Sequence, residues 1–128
     1  MSKHESWRTK EYWQKVGGTL VLEFLAIRGQ PGRNGKRLLD GLIIKDGPIE
    51  ISDARSVELK GKDIIVVQTK KDRLGMYLMG QAFFSREIMK RYEPRSIETV
   101  AICGEGDIEL EELCKQFDIK VEIIPDRS

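Results

Sequence analysis

The chain has 128 residues, of which 40% are hydrophobic and 34% are charged, which is typical of a single globular domain spanning residues 1–128. The 22 basic and 21 acidic residues leave a formal net charge of +1, so any surface that attracts a polyanion must be local. One histidine (His4) and two cysteines (Cys103 and Cys114) argue against a zinc site and against a mechanism with a histidine base.

The sequence gives no indication of a membrane association. No apolar run approaches the roughly 20 residues of a membrane-spanning helix, and the first residues lack the apolar core of a signal peptide. The two cysteines, without a CxxC spacing, are typical of reduced and partly buried thiols. We therefore expect a cytoplasmic protein.

The first third of the chain is predicted to contain a helix, a loop and a strand. The helix begins near Ser6, and Gly17–Gly18 weakens it. The run Thr19–Ile27 fits either a continued helix or a buried strand, and we favour the helix. The segment 28–37 is predicted to be a loop from its Gly, Pro and Asn content, and a strand follows at 37–45.

Beyond this strand, Asp46–Gly47 predicts a hairpin turn that leads into Pro48–Ile51. The later predicted elements are strands at 57–59 and 64–70, a helix at 74–92, a strand at 97–103, a helix at 107–117 and a strand at 119–124. Antiparallel strands followed by a helix and a βαβ-like end indicate an α/β sandwich with a mixed central sheet flanked by helices.

The helix at 74–92 has apolar residues on two sides, which predicts burial on both. One stripe contains Gln81 and Ser85 at its centre. The opposite strip consists of Met76, Met79 and Phe83. The first side is expected to pack on the sheet, and the second against either the first helix or a second subunit in a homodimer.

Polar side chains interrupt two apolar strands. Side chains two residues apart share a strand face, so Asp40 is expected to align with Leu38 and Leu42, and Gln68 with Lys70. Buried polar groups are costly unless they are paired or used. One interpretation is a site for Mg²⁺ or Mn²⁺, with oxygens from the Asp40 carboxylate, the Gln68 amide and the Thr69 backbone carbonyl and with Lys70 acting on a water. The alternative is a structural Asp40–Lys70 ion pair with Gln68 at its rim.

These residues resemble the PD-(D/E)XK nuclease superfamily, in which an Asp-bearing strand precedes a strand ending in an acid-x-Lys motif and then a helix. The sequence Gln68-Thr69-Lys70 is similar to the Gln-x-Lys pattern of Mrr-type restriction endonucleases. Gln81 resembles the helical glutamine of RecB-type nucleases, although Ser85 stands where those enzymes carry a tyrosine. The resemblance implies a restriction-endonuclease-like fold, with Asp40 and Gln68 as metal ligands.

Further site residues follow from the same resemblance. Superfamily members often add an acid from the first helix, and Glu23 is the candidate, with a solvent-facing or ion-paired glutamate as the alternative. Ser85 and Gln81 would support the site. The residues expected to contact DNA are Arg33, Lys36, Arg37, Lys71 and Arg73, with a solvated loop and a charged helix start as the alternatives.

The function expected from these observations is that of a Mg²⁺-dependent DNA endonuclease, a hydrolase of phosphodiester bonds. Asp40, Gln68 and Lys70 would be its catalytic residues. The alternative is a degenerate member that binds nucleic acid or a protein partner without cleaving, because the neutral Gln68 removes one negative charge from the metal site.

Overall fold

The computed structural model describes residues 6–53 and 57–127, and over these residues the chain has an α/β fold with one mixed sheet. This architecture confirms the predicted α/β class. In chain order the elements are α1 (Trp7–Val16), β1 (Thr19–Ile27), β2 (Arg37–Ile44), β3 (Glu50–Ser52), β4 (Asp63–Arg73), α2 (Met76–Met89), a 3₁₀ turn (Lys90–Tyr92), β5 (Ser96–Glu105), α3 (Ile108–Gln116) and β6 (Ile119–Ile123).

The strands form a six-stranded sheet in the order β3-β1-β2-β4-β5-β6. β2 is antiparallel to both β1 and β4, whereas β4, β5 and β6 run parallel to one another. Tyr12 of α1 packs on one face of the sheet with Ile43 and Val67. α2 and α3 cover the opposite face, where Leu78 and Cys114 belong to one buried cluster. We call these the α1 face and the α2 face.

Residues Thr19–Ile27 form β1, so the helix that we favoured for this run is wrong. Gly17 and Gly18 have φ angles of 78° and 82°, a conformation that favours glycine, and they end α1. The run then lies between β2 and β3. Because this strand buries side chains on both faces, its sequence is mostly apolar and has no period that distinguishes it from a helix.

The predicted hairpin at Asp46–Gly47 is also wrong. A turn is present, in which the Gly47 N–H donates to the Ile44 carbonyl at 3.2 Å, but β3 pairs in parallel with β1 and not with β2. Both edges of β2 are already occupied by β1 and β4, so the free edge of β1 accepts β3. The expected strand at 57–59 is irregular, although its Leu59 is buried in the core.

The strip Met76, Met79 and Phe83 is not a free dimer surface. Met79 and Phe83 pack in the cluster that includes Cys114 of α3, and the Phe83 ring lies edge-on to that of Phe117, 6.0 Å between centroids. Of the strip, Met76 alone is largely exposed. The second apolar side of α2 is therefore covered by α3 of the same chain, and neither the first helix nor a second subunit is needed there.

No helix within residues 6–53 and 57–127 has both the length and the apolar character needed to cross a membrane.

Candidate active site

The strands β2 and β4 separate at the end of their shared ladder. Their pairing runs from Ile44 opposite Ile64 to Gly41 opposite Val67. Beyond that point β2 continues beside β1 to Arg37, and β4 continues beside β5 to Lys70 and beyond. The residues at the separation are Asp40 on β2 and Gln68 and Thr69 on β4, and we call this place the β2–β4 fork.

Side chains replace the missing ladder bonds at the fork. The Thr69 main-chain N–H donates to Asp40 Oδ2 at 2.8 Å. The Asp40 main-chain N–H donates to Gln68 Oε1 at 3.4 Å. Buried main-chain groups need a hydrogen-bond partner. Where the two strands diverge, the Asp40 side chain therefore accepts from the main chain of β4, and the Gln68 side chain accepts from the main chain of β2. Asp40, Gln68 and Thr69 therefore meet at the fork through main-chain N–H groups, whereas convergence of their oxygen atoms on a metal ion stays a prediction.

The helix α2 also contacts the Gln68 side chain. Gln68 Nε2 donates to the Ser85 hydroxyl of α2 at 2.7 Å, and the side chain is only 3% exposed. On the other face, the hydroxyls of Thr69 and Thr9 are 2.8 Å apart, which ties β4 to α1. The fork is thus connected to both helical layers, and Ser85 contacts Gln68 there.

The strict alternation that we expected from Leu38 to Ile44 is not kept, because β2 changes faces at Asp40. Leu42 and Leu39 both pack on the α2 face, although they are an odd number of residues apart. Gly41 faces α1, where an added Cβ would lie 2.8 Å from Thr9 Cγ2. Glycine is therefore required beside Asp40, and the Asp40 carboxylate reaches the β4 main chain.

The strand β1 changes faces at the matching position. Leu22 packs on the α1 face and Phe24 on the α2 face, and the residue between them, Glu23, has a φ of 51°. A residue in this left-handed region reverses the alternation of the side chains, while the pairing with β2 keeps its register from Leu22 to Phe24. Leu22 and Phe24 pair with Gly41 and Leu39, so Glu23 lies opposite Asp40 in register. Glu23 is exposed at this position, and its role as a second acid of the site stays a prediction.

Lys70 lies two residues beyond Gln68 on β4, and its side chain also contacts α2. Its amine is 4.7 Å from the centroid of the Tyr77 ring, at the start of α2. A cation over an aromatic face is attracted by the ring quadrupole, so Tyr77 positions the amine. The predicted structural partner of Asp40 was Lys70, but the Asp40 carboxylate is held by the Thr69 N–H.

A cleft of about 740 Å³ opens between α2 and the first residues of β2. We call it the α2 cleft. Gln68, Gln81 and Ser85 supply polar groups to its lining, and Lys36 and Arg37 lie along it. Tyr77 and Phe84 also line it and are 67% and 65% exposed. Gln81 therefore faces the cleft that Gln68 faces, as its place on the helix predicted.

The residues predicted to contact DNA divide into two groups. Arg33 and Arg37 line a second cavity beside the cleft, and Lys36 lines the cleft itself. Lys71 and Arg73 continue along β4 past the fork, and Arg73 forms an ion pair with Glu105 at 2.6 Å. The basic segment before Asp40 thus places Lys36 and Arg37 along the α2 cleft that Gln68 also lines.

The donor atoms at the fork suit a hard cation. Carboxylate, amide and main-chain carbonyl oxygens are the ligands that Mg²⁺ and Mn²⁺ prefer. Within the part of the chain that the structure describes, no three His, Cys, Asp or Glu side chains cluster as a metal site. A metal site at the fork, with oxygens from Gln68 and Thr69 beside the Asp40 carboxylate, stays a prediction.

Comparison of the chain with protein-family models, with curated proteins and with solved structures found no match.

Four residues near the site were not found from the sequence. Thr9 binds Thr69 across the α1 face, Tyr77 lies under Lys70, and Phe84 and Arg91 line the two cavities. The exposed apolar pair Tyr77 and Phe84, seven residues apart on one side of a helix, was a usable signal. No signal in the sequence indicated Arg91, because only the tertiary fold brings the turn after α2 beside the loop before β2.

Proposed function

We propose that this chain is a metal-dependent DNA endonuclease of the PD-(D/E)XK type with a restriction-endonuclease-like fold. The observation that carries the proposal is the β2–β4 fork, where Asp40 and Gln68–Thr69 meet through hydrogen bonds of 2.8 and 3.4 Å. The Asp-bearing β2 precedes β4 with its Gln-x-Lys ending and then α2, and this order, on which the resemblance was based, supports the proposal.

Each fork residue has a role in this proposal. Asp40, Gln68 Oε1 and the Thr69 carbonyl would hold Mg²⁺ or Mn²⁺, with Glu23 as an additional acid. In an antiparallel ladder the N–H and C=O of one residue point to the same neighbour. Since the Thr69 N–H points to Asp40, its carbonyl is expected to face the fork as well. When bound, the ion would polarise the scissile phosphate and lower the pKa of a water.

The remaining residues bind and orient DNA. Lys70, held over Tyr77, would stabilise charge that develops on the phosphate and assist deprotonation of the attacking water. Lys36 and Arg37 along the cleft would contact the backbone. The exposed rings of Tyr77 and Phe84 offer stacking surfaces for unpaired bases. The free thiols of Cys103 and Cys114 support the cytoplasmic location expected from the sequence.

A second function is favoured by one observation. Both functional groups of the Gln68 amide are hydrogen-bonded and the side chain is buried, as expected if Gln68 only completes the main-chain bonds at the fork. The chain would then bind nucleic acid through its basic loop without cleaving it.

Nicking of supercoiled plasmid DNA in Mg²⁺ or Mn²⁺ separates the two functions. The Lys70→Ala variant should lose about a hundredfold or more of the nicking rate, the usual contribution of a positioned proton-transfer group. Lys115→Ala, which removes an exposed amine from α3, is the matched control and should nick like the wild type. Equal rates for the wild type and Lys70→Ala would refute catalysis at this site.

A further inference from the structure

The second cavity, of about 540 Å³, lies between the loop that precedes β2 and the turn that follows α2. Four arginines line it: Arg28, Arg33 and Arg37 from the loop side, and Arg91 from the turn. We call it the arginine cavity. No aspartate or glutamate is among the residues that line it, so the only formal charges of its lining are positive.

The four arginines differ from the other arginines that the structure describes. Each of the others has a carboxylate within 4.0 Å; these are Arg8, Arg73, Arg86, Arg95 and Arg127. Among residues 6–53 and 57–127, no carboxylate forms such a pair with any arginine of the cavity. Like charges that converge without a counter-charge raise the local potential and attract an anion.

The cavity walls are held by hydrogen bonds of the fold. Asn34 Nδ2 donates to the Arg28 carbonyl at 3.0 Å, and the main chains of Gln30 and Asn34 are bonded across the turn. On the opposite wall, the Tyr92 hydroxyl donates to the Ala26 carbonyl at 2.6 Å. The main chain that carries these arginines is therefore held without a ligand, which reduces the part of the ordering cost of binding that comes from the backbone.

We infer that the arginine cavity binds the terminal phosphate monoester of a nucleic-acid strand. A phosphate monoester carries a charge of about −1.5 to −2 and three oxygens that accept hydrogen bonds, whereas an internal diester carries one charge. Guanidinium forks match phosphate oxygens in pairs, so four of them suit the monoester. That the phosphate belongs to a nucleic acid rests on the proposed function.

The position of Arg37 links this cavity to the candidate active site. Arg37 lines both the arginine cavity and the α2 cleft, and it precedes Asp40 by three residues of β2. Three extended residues span about 10 Å, which is about three base steps along one DNA strand. A strand held by its terminal phosphate would therefore present a bond only a few nucleotides from that end to the β2–β4 fork.

The test measures the affinity of the full chain for short single-stranded oligodeoxynucleotides by fluorescence anisotropy, in EDTA so that no cleavage occurs. The oligonucleotides have one sequence and carry a 5′-phosphate, a 3′-phosphate or no terminal phosphate. The variant is Arg28→Gln/Arg91→Gln, which changes two exposed side chains. The control is Lys115→Gln/Lys120→Gln, which removes two positive charges from α3 and β6, at the opposite edge of the sheet from β1.

For one of the two phosphorylated ends, the wild type and the control should bind at least about tenfold more tightly than the unphosphorylated strand, equivalent to about 1.4 kcal/mol. The Arg28→Gln/Arg91→Gln variant should lose this preference. Equal affinities for all three strands, or a preference that survives in this variant, would overturn the inference. An equal loss for all three strands in the variant would assign the cavity to internal phosphodiesters and would also overturn it. Failure of the Lys70 nicking test would leave the phosphate preference intact, so the two proposals fail separately.

Discussion

Replacement of Gln68 by glutamate distinguishes a metal site at the β2–β4 fork from a purely structural one. The variant retains an acceptor for the Asp40 N–H, and the Ser85 hydroxyl can donate to the new carboxylate where it now accepts from Gln68. The change therefore adds a negative charge beside Asp40 and preserves the shape of the fork. A metal site gains a ligand from this change, whereas a structural pair gains only repulsion.

The size of the repulsion follows from the burial of Gln68, which is 3% exposed. Two like charges about 4 Å apart repel by about 4 kcal/mol at an effective dielectric constant of about 20. Protonation of the new carboxylate relieves part of this energy. In EDTA at neutral pH we therefore expect the variant to lose about 3 kcal/mol of unfolding free energy, or about 10 °C in Tm.

A divalent ion should reverse this loss. An ion present at about a hundred times its Kd adds about 2.7 kcal/mol to the folded state, which nearly offsets the repulsion. The Tm of Gln68→Glu should thus rise by about 10 °C on addition of Mn²⁺, and its nicking rate should exceed that of the wild type. Gln116→Glu is the control, because Gln116 is exposed at the end of α3 and has no place in the candidate site; its Tm should respond to Mn²⁺ as the wild type does.

The assay is thermal unfolding in EDTA, Mg²⁺ and Mn²⁺ for the three proteins, followed by plasmid nicking. A Gln68→Glu variant whose Tm is equally low with and without the ions, and which does not nick DNA, would refute the metal site. The fork would then be a structural connection between β2 and β4.

Three further predictions concern the framework around the site. Arg8→Ala should lower the unfolding free energy by about 2 kcal/mol in urea denaturation, because the buried Arg8 guanidinium donates to the Ile124 carbonyl at 2.7 Å and that acceptor would lose its partner. Thr99→Val should raise it by about 1 kcal/mol, since the buried Thr99 hydroxyl has no hydrogen-bond partner among the residues described; a lower value would contradict this. Burial, followed by the charges of Glu122 and Glu98, raises the pKa of Tyr12 to about 12. Because the pKa of Tyr12 is higher in the folded than in the unfolded protein, the stability that the neutral phenol provides is complete below pH 10. It should be lost between about pH 10 and pH 12, by up to about 3 kcal/mol. The Tyr12→Phe variant should lack this part of the pH dependence of stability, and an unchanged pH dependence in the variant would contradict the prediction.

Local patterns were sufficient to predict the strand that carries Asp40, the strand that ends at Lys70 and the helix that carries Ser85. Each has either a clear alternation or a helical period, and their order restricts how they can pair. The convergence of Asp40 with Gln68 followed from that order. The detailed geometry of the fork could not be predicted, because the strands change faces at Glu23 and Asp40. This change depends on backbone conformations that a periodic sequence pattern does not indicate.

The errors arose where a distant part of the chain determines the local structure. Thr19–Ile27 is mostly apolar because strands flank it on both edges and it buries side chains on both faces. β3 pairs with β1 because β2 has no free edge. Met79 and Phe83 are covered by α3, which an isolated helical pattern cannot distinguish from a dimer contact. Arg91 joins the arginine cavity only through the path of the chain after α2.

The central claim is that the charge of Asp40 serves a metal ion, and Asp40→Asn tests it most directly. An asparagine oxygen can still accept the Thr69 N–H that Asp40 Oδ2 accepts at 2.8 Å, so the fold should be retained, with a Tm within about 5 °C of the wild type. We predict that the wild type nicks plasmid DNA in Mg²⁺ or Mn²⁺ but not in EDTA, and that the folded Asp40→Asn variant nicks at least about a hundredfold more slowly. Equal nicking by the two proteins, or no metal-dependent nicking by the wild type, would contradict the account.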